Sequence, residues 1–89
     1  MTILERIFTG HYSSNPRRGP SPRAQKLVLC AIYALKGARV PLSQFSDMCD
    51  MSDDNTRRAL RVLRDEGWIR GGTDNGYVHA SIRFDGGES

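Results

Sequence analysis

The polar and apolar positions between Met51 and Gly72 repeat with the period of an α-helix. At about 100° per residue, one side of this helix carries small and aliphatic residues, and the opposite side carries arginine. The first set is Thr56, Ala59, Leu60 and Leu63, and the second is Arg57, Arg58, Arg61 and Arg64. Ser52 is a favourable N-cap, and Gly67 readily adopts the left-handed conformation that ends a helix. The pattern predicts a helix over residues 52–66 that rests on a core and exposes its arginines.

A shorter helix is predicted immediately before it, over residues 42–50. Phe45, Met48 and Cys49 lie at positions i, i+3 and i+4 of this segment, and Ser43 is the expected N-cap. The link to the following helix is tight. Together the two segments predict a helix-turn-helix.

Residues 68–83 show a different period, because apolar and polar positions alternate after the helix. Val78, Ala80 and Ile82 alternate with polar positions on the second half of this segment. Asn75 and Gly76 precede them, and both residue types tolerate the positive φ of a tight hairpin turn. The pattern predicts a β-hairpin, and residues 39–41 are the expected third strand of a small sheet.

Two helices are predicted in the N-terminal half. Residues 2–9 place their apolar side chains on one stripe, over two turns that need a covering surface. A longer helix begins at Ser21 and Pro22 and runs to Lys36 and the terminating Gly37. Its expected apolar side is widened by three further residues, so we expect a second apolar contact, with residues 3–8 or with another subunit. The main side is Ala24, Leu27, Val28, Ala31 and Leu35, and the three further residues are Leu29, Ile32 and Tyr33.

The run TRRALRVLRDEGWIR, residues 56–70, resembles the second helix and the start of the wing in winged helix-turn-helix regulators of bacteria and phages, such as the GntR and MarR groups. The resemblance spans roughly residues 24–83. It implies an α+β fold with a three-helix core and a small antiparallel hairpin wing, to which this chain adds a short N-terminal helix. The expected division is an N-terminal helix and basic linker at 1–20, the winged domain at 21–84, and a disordered tail at 85–89.

The resemblance also implies where DNA is contacted. In these families the leading residues of the second helix contact bases, which correspond here to Ser52, Asp54, Asn55, Arg57 and Arg58. Arginine recognises guanine and asparagine recognises adenine through paired hydrogen bonds. The alternative is a solvated helix face whose charges only suit the helix dipole, acidic first and basic later.

The remaining arginines extend this hypothesis to phosphates. Thirteen Lys and Arg against ten Asp and Glu give a net charge of +3, so the distribution of charge matters more than its sum. Eleven of the thirteen are arginine, which favours bidentate contacts to phosphate. Arg61, Arg64 and the wing-base Arg70 are expected to support binding. Arg17, Arg18 and Arg23 are interpreted either as an arm along the DNA or as part of a solubilising linker.

Two features depart from the family pattern. Asp47, Asp50, Asp53 and Asp54 surround the turn and would oppose a polyanion. The expected wing tip, residues 71–76, contains Asp74 and no Lys or Arg. A glycine-rich wing of this kind is expected to stay clear of the backbone.

The sequence gives no basis for catalysis, and we expect no enzyme activity, metal or cofactor. Cys30 and Cys49 are expected to be buried thiols rather than a disulfide or redox pair. Trp68 is expected to pack on the core rather than to stack on a base. No secretory segment or long apolar run is visible, so we expect a cytoplasmic protein without membrane contact.

These observations predict a double-stranded DNA-binding transcriptional regulator that acts as a homodimer. Its subunit contact is expected at Ile3, Leu4, Ile7, Phe8, Leu29 and Tyr33. One alternative is a winged-helix module that docks on a polymerase or replication protein. Another is an accessory DNA binder for replication or packaging.

Overall fold

Four helices and a three-stranded antiparallel sheet make up the protein, of which the computed structural model describes residues 2–12, 14 and 19–83. The elements follow in the order α1 (Ile3–Thr9), α2 (Pro22–Leu35), β1 (Val40–Pro41), α3 (Leu42–Cys49), α4 (Asp53–Asp65), β2 (Ile69–Asp74) and β3 (Tyr77–Ile82). The strand order is β1-β3-β2, with the β2–β3 hairpin at the C-terminal end. This α+β arrangement is consistent with a winged helix. The predicted tail, residues 85–89, lies outside the described residues.

The predicted ends of α2 and α4 are confirmed. Ser21 caps α2 by accepting a hydrogen bond from the Ala24 backbone N–H at 3.4 Å, and proline occupies the first helical position. Ser52 caps α4 by accepting from the Asn55 N–H at 3.2 Å. Gly67 has a φ of +83° just after α4, which is the left-handed conformation expected for a helix stop.

The start of α3 differs from the prediction. Ser43 lies inside the helix, and the N-cap is Pro41, which makes no side-chain capping bond. The reason is that β1 runs directly into α3: the Leu42 N–H donates to the Gly76 carbonyl oxygen at 2.9 Å, in the hairpin turn. The predicted apolar side is also partly wrong, since Met48 is 49% exposed. The buried side of α3 is Leu42, Phe45, Ser46 and Cys49.

Helix α2 lies at the centre of the fold and contacts α1, α3, α4 and β3. Its buried side is rotated from the predicted one, since Leu27 is 50% exposed and Gln25 is buried. The polar Gln25 is accommodated because its Nε2 donates to the Pro20 carbonyl oxygen at 3.0 Å. The buried residues of α2 are Gln25, Val28, Leu29, Ala31 and Ile32.

Helix α1 belongs to the same core as the rest of the domain. Ile7 is fully buried and packs with α2, so the second apolar surface of α2 is covered within the chain. The predicted subunit contact is therefore wrong for Ile7 and Leu29, which both have no exposed surface. The other four residues of that prediction remain solvent-exposed: Ile3, Leu4, Phe8 and Tyr33.

The hairpin forms around the predicted turn. Asn75 and Gly76 have φ values of 53° and 80°, and Asp74 pairs with Tyr77 across the two-residue loop. Such a turn matches the twist of the strands that it joins. Strand β2 extends to Asp74, so the tip is shorter than the predicted 71–76 loop. Among the described residues, no helix is long and apolar enough to cross a membrane.

Candidate nucleic-acid interface

Helix α4 separates apolar and basic residues as the sequence pattern predicts. Its buried side comprises Thr56, Ala59, Leu60, Val62 and Leu63. The predicted site residues on the other side are all exposed: Ser52, Asp54, Asn55, Arg57, Arg58, Arg61 and Arg64. Because the apolar side packs on α2, α3 and β2, rotation of the helix about its axis would expose the core. The arginines are therefore held outward by the packing beneath them.

A buried chain of hydroxyls joins α3 to the start of α4. The Ser46 Oγ donates to Thr56 Oγ1 at 2.9 Å, and Thr56 Oγ1 donates to the Ser52 carbonyl oxygen at 2.8 Å. Ser46 and Thr56 are 2% and 0% exposed, so their hydroxyls depend on these protein partners rather than on solvent. Sequence reasoning did not find this contact, although two polar residues on apolar helix faces are a signal of such a pair. The contact orients the two helices that flank the turn.

An open cleft of about 380 Å³ separates α4 from the first half of the hairpin. Arg57, Arg61 and Arg64 line it from the helix, together with Leu60 and Asp65. The residues 71–73 line it from β2. Three of the four predicted arginines of α4 thus meet at one cleft, which the sequence pattern alone did not indicate.

The fourth arginine, Arg58, is oriented differently. Its Nε lies 3.3 Å from a carboxylate oxygen of Asp54, one turn earlier on α4. Both side chains are exposed, by 57% and 70%, so the pair adds little stability. It does place one positive and one negative charge side by side at the leading end of the helix.

The other predicted arginines lie around this helix at different places. Arg70 is exposed on β2 opposite Ser81 and is not among the residues that line the cleft. Arg23 is exposed in the first turn of α2. Arg17 and Arg18 lie outside the described residues. Gly19, which follows them, packs on α4: an added Cβ there would lie 2.9 Å from Val62 and 3.4 Å from the Arg58 carbonyl oxygen.

The segment after α1, predicted as a basic linker, begins with residues that pack on the hairpin base. The Tyr12 ring stacks on the Trp68 ring, with centroids 4.8 Å apart and planes 8° from parallel. The Tyr12 hydroxyl donates to the Ile7 carbonyl oxygen, and burial raises the pKa of Tyr12 to about 12. Trp68 is half-buried against the core as predicted. The missed signal was an aromatic residue in an otherwise polar and glycine-rich segment.

The two thiols are unsuited to chemistry at this site. Cys30 and Cys49 are both free, and Cys49 is buried. Burial, with a smaller contribution from Cys30, raises the pKa of the Cys49 thiol to about 11, and burial also raises the pKa of Cys30. Thiols with raised pKa values stay protonated and are poor nucleophiles.

No protein-family profile, no curated protein and no solved structure matches this chain.

Proposed function

We propose that this protein binds double-stranded DNA and regulates transcription, with α4 placed in the major groove. The observation that carries the proposal is the pairing of a fully buried apolar side of α4 with an exposed arginine side. A helix fixed in this way presents its arginines on one side, so that binding needs no rearrangement of the backbone. Arginine forms bidentate hydrogen bonds both to phosphate and to guanine O6 and N7.

Base recognition is assigned to the leading half of α4. Asn55, Arg57 and Arg58 are exposed there beside the cap residue Ser52, and Asp54 is able to accept from a cytosine amino group. Arg17, Arg18 and Arg23 supply an arm in this proposal, because the chain that follows Arg18 reaches α4 at Gly19. Arg70 contributes a phosphate contact at the base of the wing. A regulator of bacterial or phage type works in the cytoplasm, where its DNA is.

A dimer would give such a small domain a second set of contacts on a two-fold DNA site. The exposed apolar residues that remain for a subunit contact are Ile3, Leu4, Phe8 and Tyr33. Ile3 and Tyr33 line one shallow groove with Ile82, which offers a second copy an apolar contact. We propose this surface for the homodimer.

The same surface favours the second candidate function, a protein-interaction module. Phe8 is 60% exposed, which is unusual for a large apolar side chain in a monomer. The four aspartates at the turn, at positions 47, 50, 53 and 54, would suit a basic partner surface. A polymerase or replication protein is the proposed partner in that case. An accessory role in replication or packaging shares the DNA contacts of the first proposal.

Duplex binding as a function of salt separates these candidates. A site selected from random duplex DNA should bind near 50 mM salt, and log K should fall with log salt by about 0.9 per phosphate contacted. Arg58→Gln should reduce the preference for the selected site. Arg39→Gln is the matched control, because it removes one charge from a residue that lies over the Tyr77 ring at 4.5 Å, away from the cleft lining. Absence of duplex binding near 50 mM salt would contradict the proposal and favour the interaction module.

A further inference from the structure

The cleft between α4 and β2 divides the arginine side of the helix into two parts. Arg57, Arg61 and Arg64 lie at positions i, i+4 and i+7, which form one ridge along a helix. Arg58 lies outside this ridge and is paired with Asp54. The sequence pattern treats the four arginines as one surface, whereas the structure turns three of them toward the wing.

The charge of the ridge is not neutralised by side-chain pairing within the described residues. In the part of the chain that the structure describes, Arg57, Arg61 and Arg64 have no ion-pair or hydrogen-bond partner for their side chains. The lining contains these three arginines and one acidic residue, Asp65. The cleft is therefore net positive and open to solvent, which suits an anion from outside.

The opposite wall of the cleft is formed by backbone rather than by side chains. Gly71 and Gly72 contribute only backbone atoms, and their φ values of +88° and +147° are ones that other residues rarely adopt. An added Cβ at Gly72 would meet no protein atom within 4 Å, whereas at Gly71 that position is taken by the backbone of His79 and Ala80. A ligand can thus approach β2 closely while the guanidinium groups contact it from α4. Thr73 adds a hydroxyl at the outer end of the same wall.

The length of the ridge distinguishes a nucleic-acid strand from a small anion. Seven residues separate Arg57 from Arg64, which corresponds to about 10 Å along a helix axis. One strand of a duplex advances about 3.4 Å along the axis per nucleotide, and its phosphates lie farther apart than this because the strand winds around the axis, so the ridge spans about two of them. A single small phosphate would engage only part of the ridge.

We propose that this cleft holds the phosphate backbone of one DNA strand, with Arg57, Arg61 and Arg64 as its ligands and the glycines of β2 as its floor. This rests on the proposed DNA binding and deepens it, because it separates two roles on one helix. The cleft arginines supply affinity that is independent of sequence, and they include Arg57, which the family resemblance alone would assign to a base contact. Arg58 and Asn55 supply discrimination. It also accounts for a wing without basic residues at its tip, since the wing shapes the cleft instead of entering the minor groove.

The test compares Arg61→Gln and Arg64→Gln with Arg58→Gln, three variants that each remove one charge from the same helix. Binding of the selected duplex and of an unrelated duplex is measured from about 50 to about 200 mM salt. Each cleft variant should weaken both duplexes by the same factor and reduce the salt slope by about 0.9. Over this fourfold change in salt, affinity should then fall about 3.5-fold less than in the unaltered protein. Arg58→Gln should instead lower the ratio of the two affinities.

The outcomes separate this inference from the proposed function. If the unaltered protein binds no duplex, the proposed function fails and the inference with it. If it binds duplex but the cleft variants change the affinity ratio and leave the salt slope intact, only the inference is overturned. Urea unfolding of each variant shows whether the fold is retained, which we expect because all three side chains are exposed.

A second arm tests the source of the phosphate. Inorganic phosphate is titrated at constant ionic strength while the amide resonances of residues 71–73 are followed by NMR. A strand-binding cleft is supported if inorganic phosphate shifts these resonances only weakly and does not displace the duplex. Saturation by inorganic phosphate that displaces duplex, and that is lost in Arg61→Gln, would overturn the proposal in favour of a site for a small phosphorylated compound.

Discussion

The buried hydroxyl pair between α3 and α4 provides the sharpest test of how this fold holds its candidate interface. Thr56→Val keeps the volume of the side chain but replaces the hydroxyl by a methyl group. Ser46 then loses its only acceptor in a site that is 2% exposed. The Ser52 carbonyl oxygen is less affected, because it still accepts from the residue 56 backbone N–H at 2.9 Å.

The expected magnitudes follow from which group is left without a partner. A buried donor with no acceptor costs about 1–3 kcal/mol, so Thr56→Val should lower the free energy of unfolding by that amount. Ser46→Ala should cost only about 0.5–1.5 kcal/mol, because Thr56 keeps its bond to the Ser52 carbonyl oxygen. The double variant leaves no unpaired hydroxyl. Its loss should therefore be smaller than the sum of the two single losses by about 1 kcal/mol.

Urea unfolding of the four proteins measures this coupling directly. The m-value should stay constant across the cycle, so that shifts in the midpoint report stability alone. Thr56→Ser is the control that retains the hydroxyl and removes only the methyl group. If the loss of stability in the double variant equals the sum of the two single losses to within about 0.3–0.5 kcal/mol, a direct bond between the two side chains is refuted.

Three further predictions concern the wing, the N-terminal segment and the acidic turn. Gly71→Ala should destabilise the protein more than Gly37→Ala. The two glycines have similar φ values, +88° and +85°, but of the two only Gly71 would bring an added Cβ into collision with backbone atoms. Equal losses of stability in urea unfolding would contradict this prediction. Burial raises the pKa of Tyr12 to about 12 from about 10 in an unfolded chain, so its contribution to stability is present below pH ~10 and is lost as the pH rises to ~12. Tyr12→Phe should flatten that part of the stability–pH profile, and an unchanged slope would exclude a buried hydroxyl. Asp53→Asn should tighten binding to all duplexes alike in fluorescence anisotropy while changing stability by less than about 1 kcal/mol, and weaker binding would contradict repulsion by this exposed carboxylate.

Local signals explain why α4 and the hairpin were predictable. The local signals are a cap at Ser52, a left-handed Gly67 and the pair Asn75–Gly76. Each acts on residues only a few positions away, and each has the expected conformation in the structure. The division of α4 into a buried and an exposed side was predictable for the same reason. Such features require no knowledge of which surface a helix meets.

The orientation of α2 was not predictable in this way. A helix that contacts four other elements buries most of its circumference, so the apolar period no longer defines a single face. Gln25 was not among the residues predicted for the buried side, because its partner, the Pro20 carbonyl oxygen, is known only from the fold. Leu27 was assigned to the core for the converse reason, since nothing in its spacing shows that it points away.

Contacts between distant segments were beyond the sequence altogether. Tyr12 and Trp68 stack across the fold although they are 56 positions apart, and no periodic pattern relates them. The arginine cleft is similar, because its second wall is a strand whose distance from α4 depends on the hairpin packing. In both cases the chemistry of the residues was visible in the sequence, and their proximity was not.

The order of charges along α4 bears on how a duplex would approach it. Asp53 and Asp54 lie in the first turn, where their carboxylates interact favourably with the helix dipole but would repel phosphate. A helix that was merely solvated would gain most if its arginines paired with nearby acidic residues, yet within residues 19–83 Arg58 is the one arginine of α4 that makes such a pair. The others face a glycine wall that offers them no partner among its side chains. We therefore expect the DNA backbone to lie nearer to the wing than to the turn, so that one strand passes the C-terminal half of α4 while its leading half faces the bases.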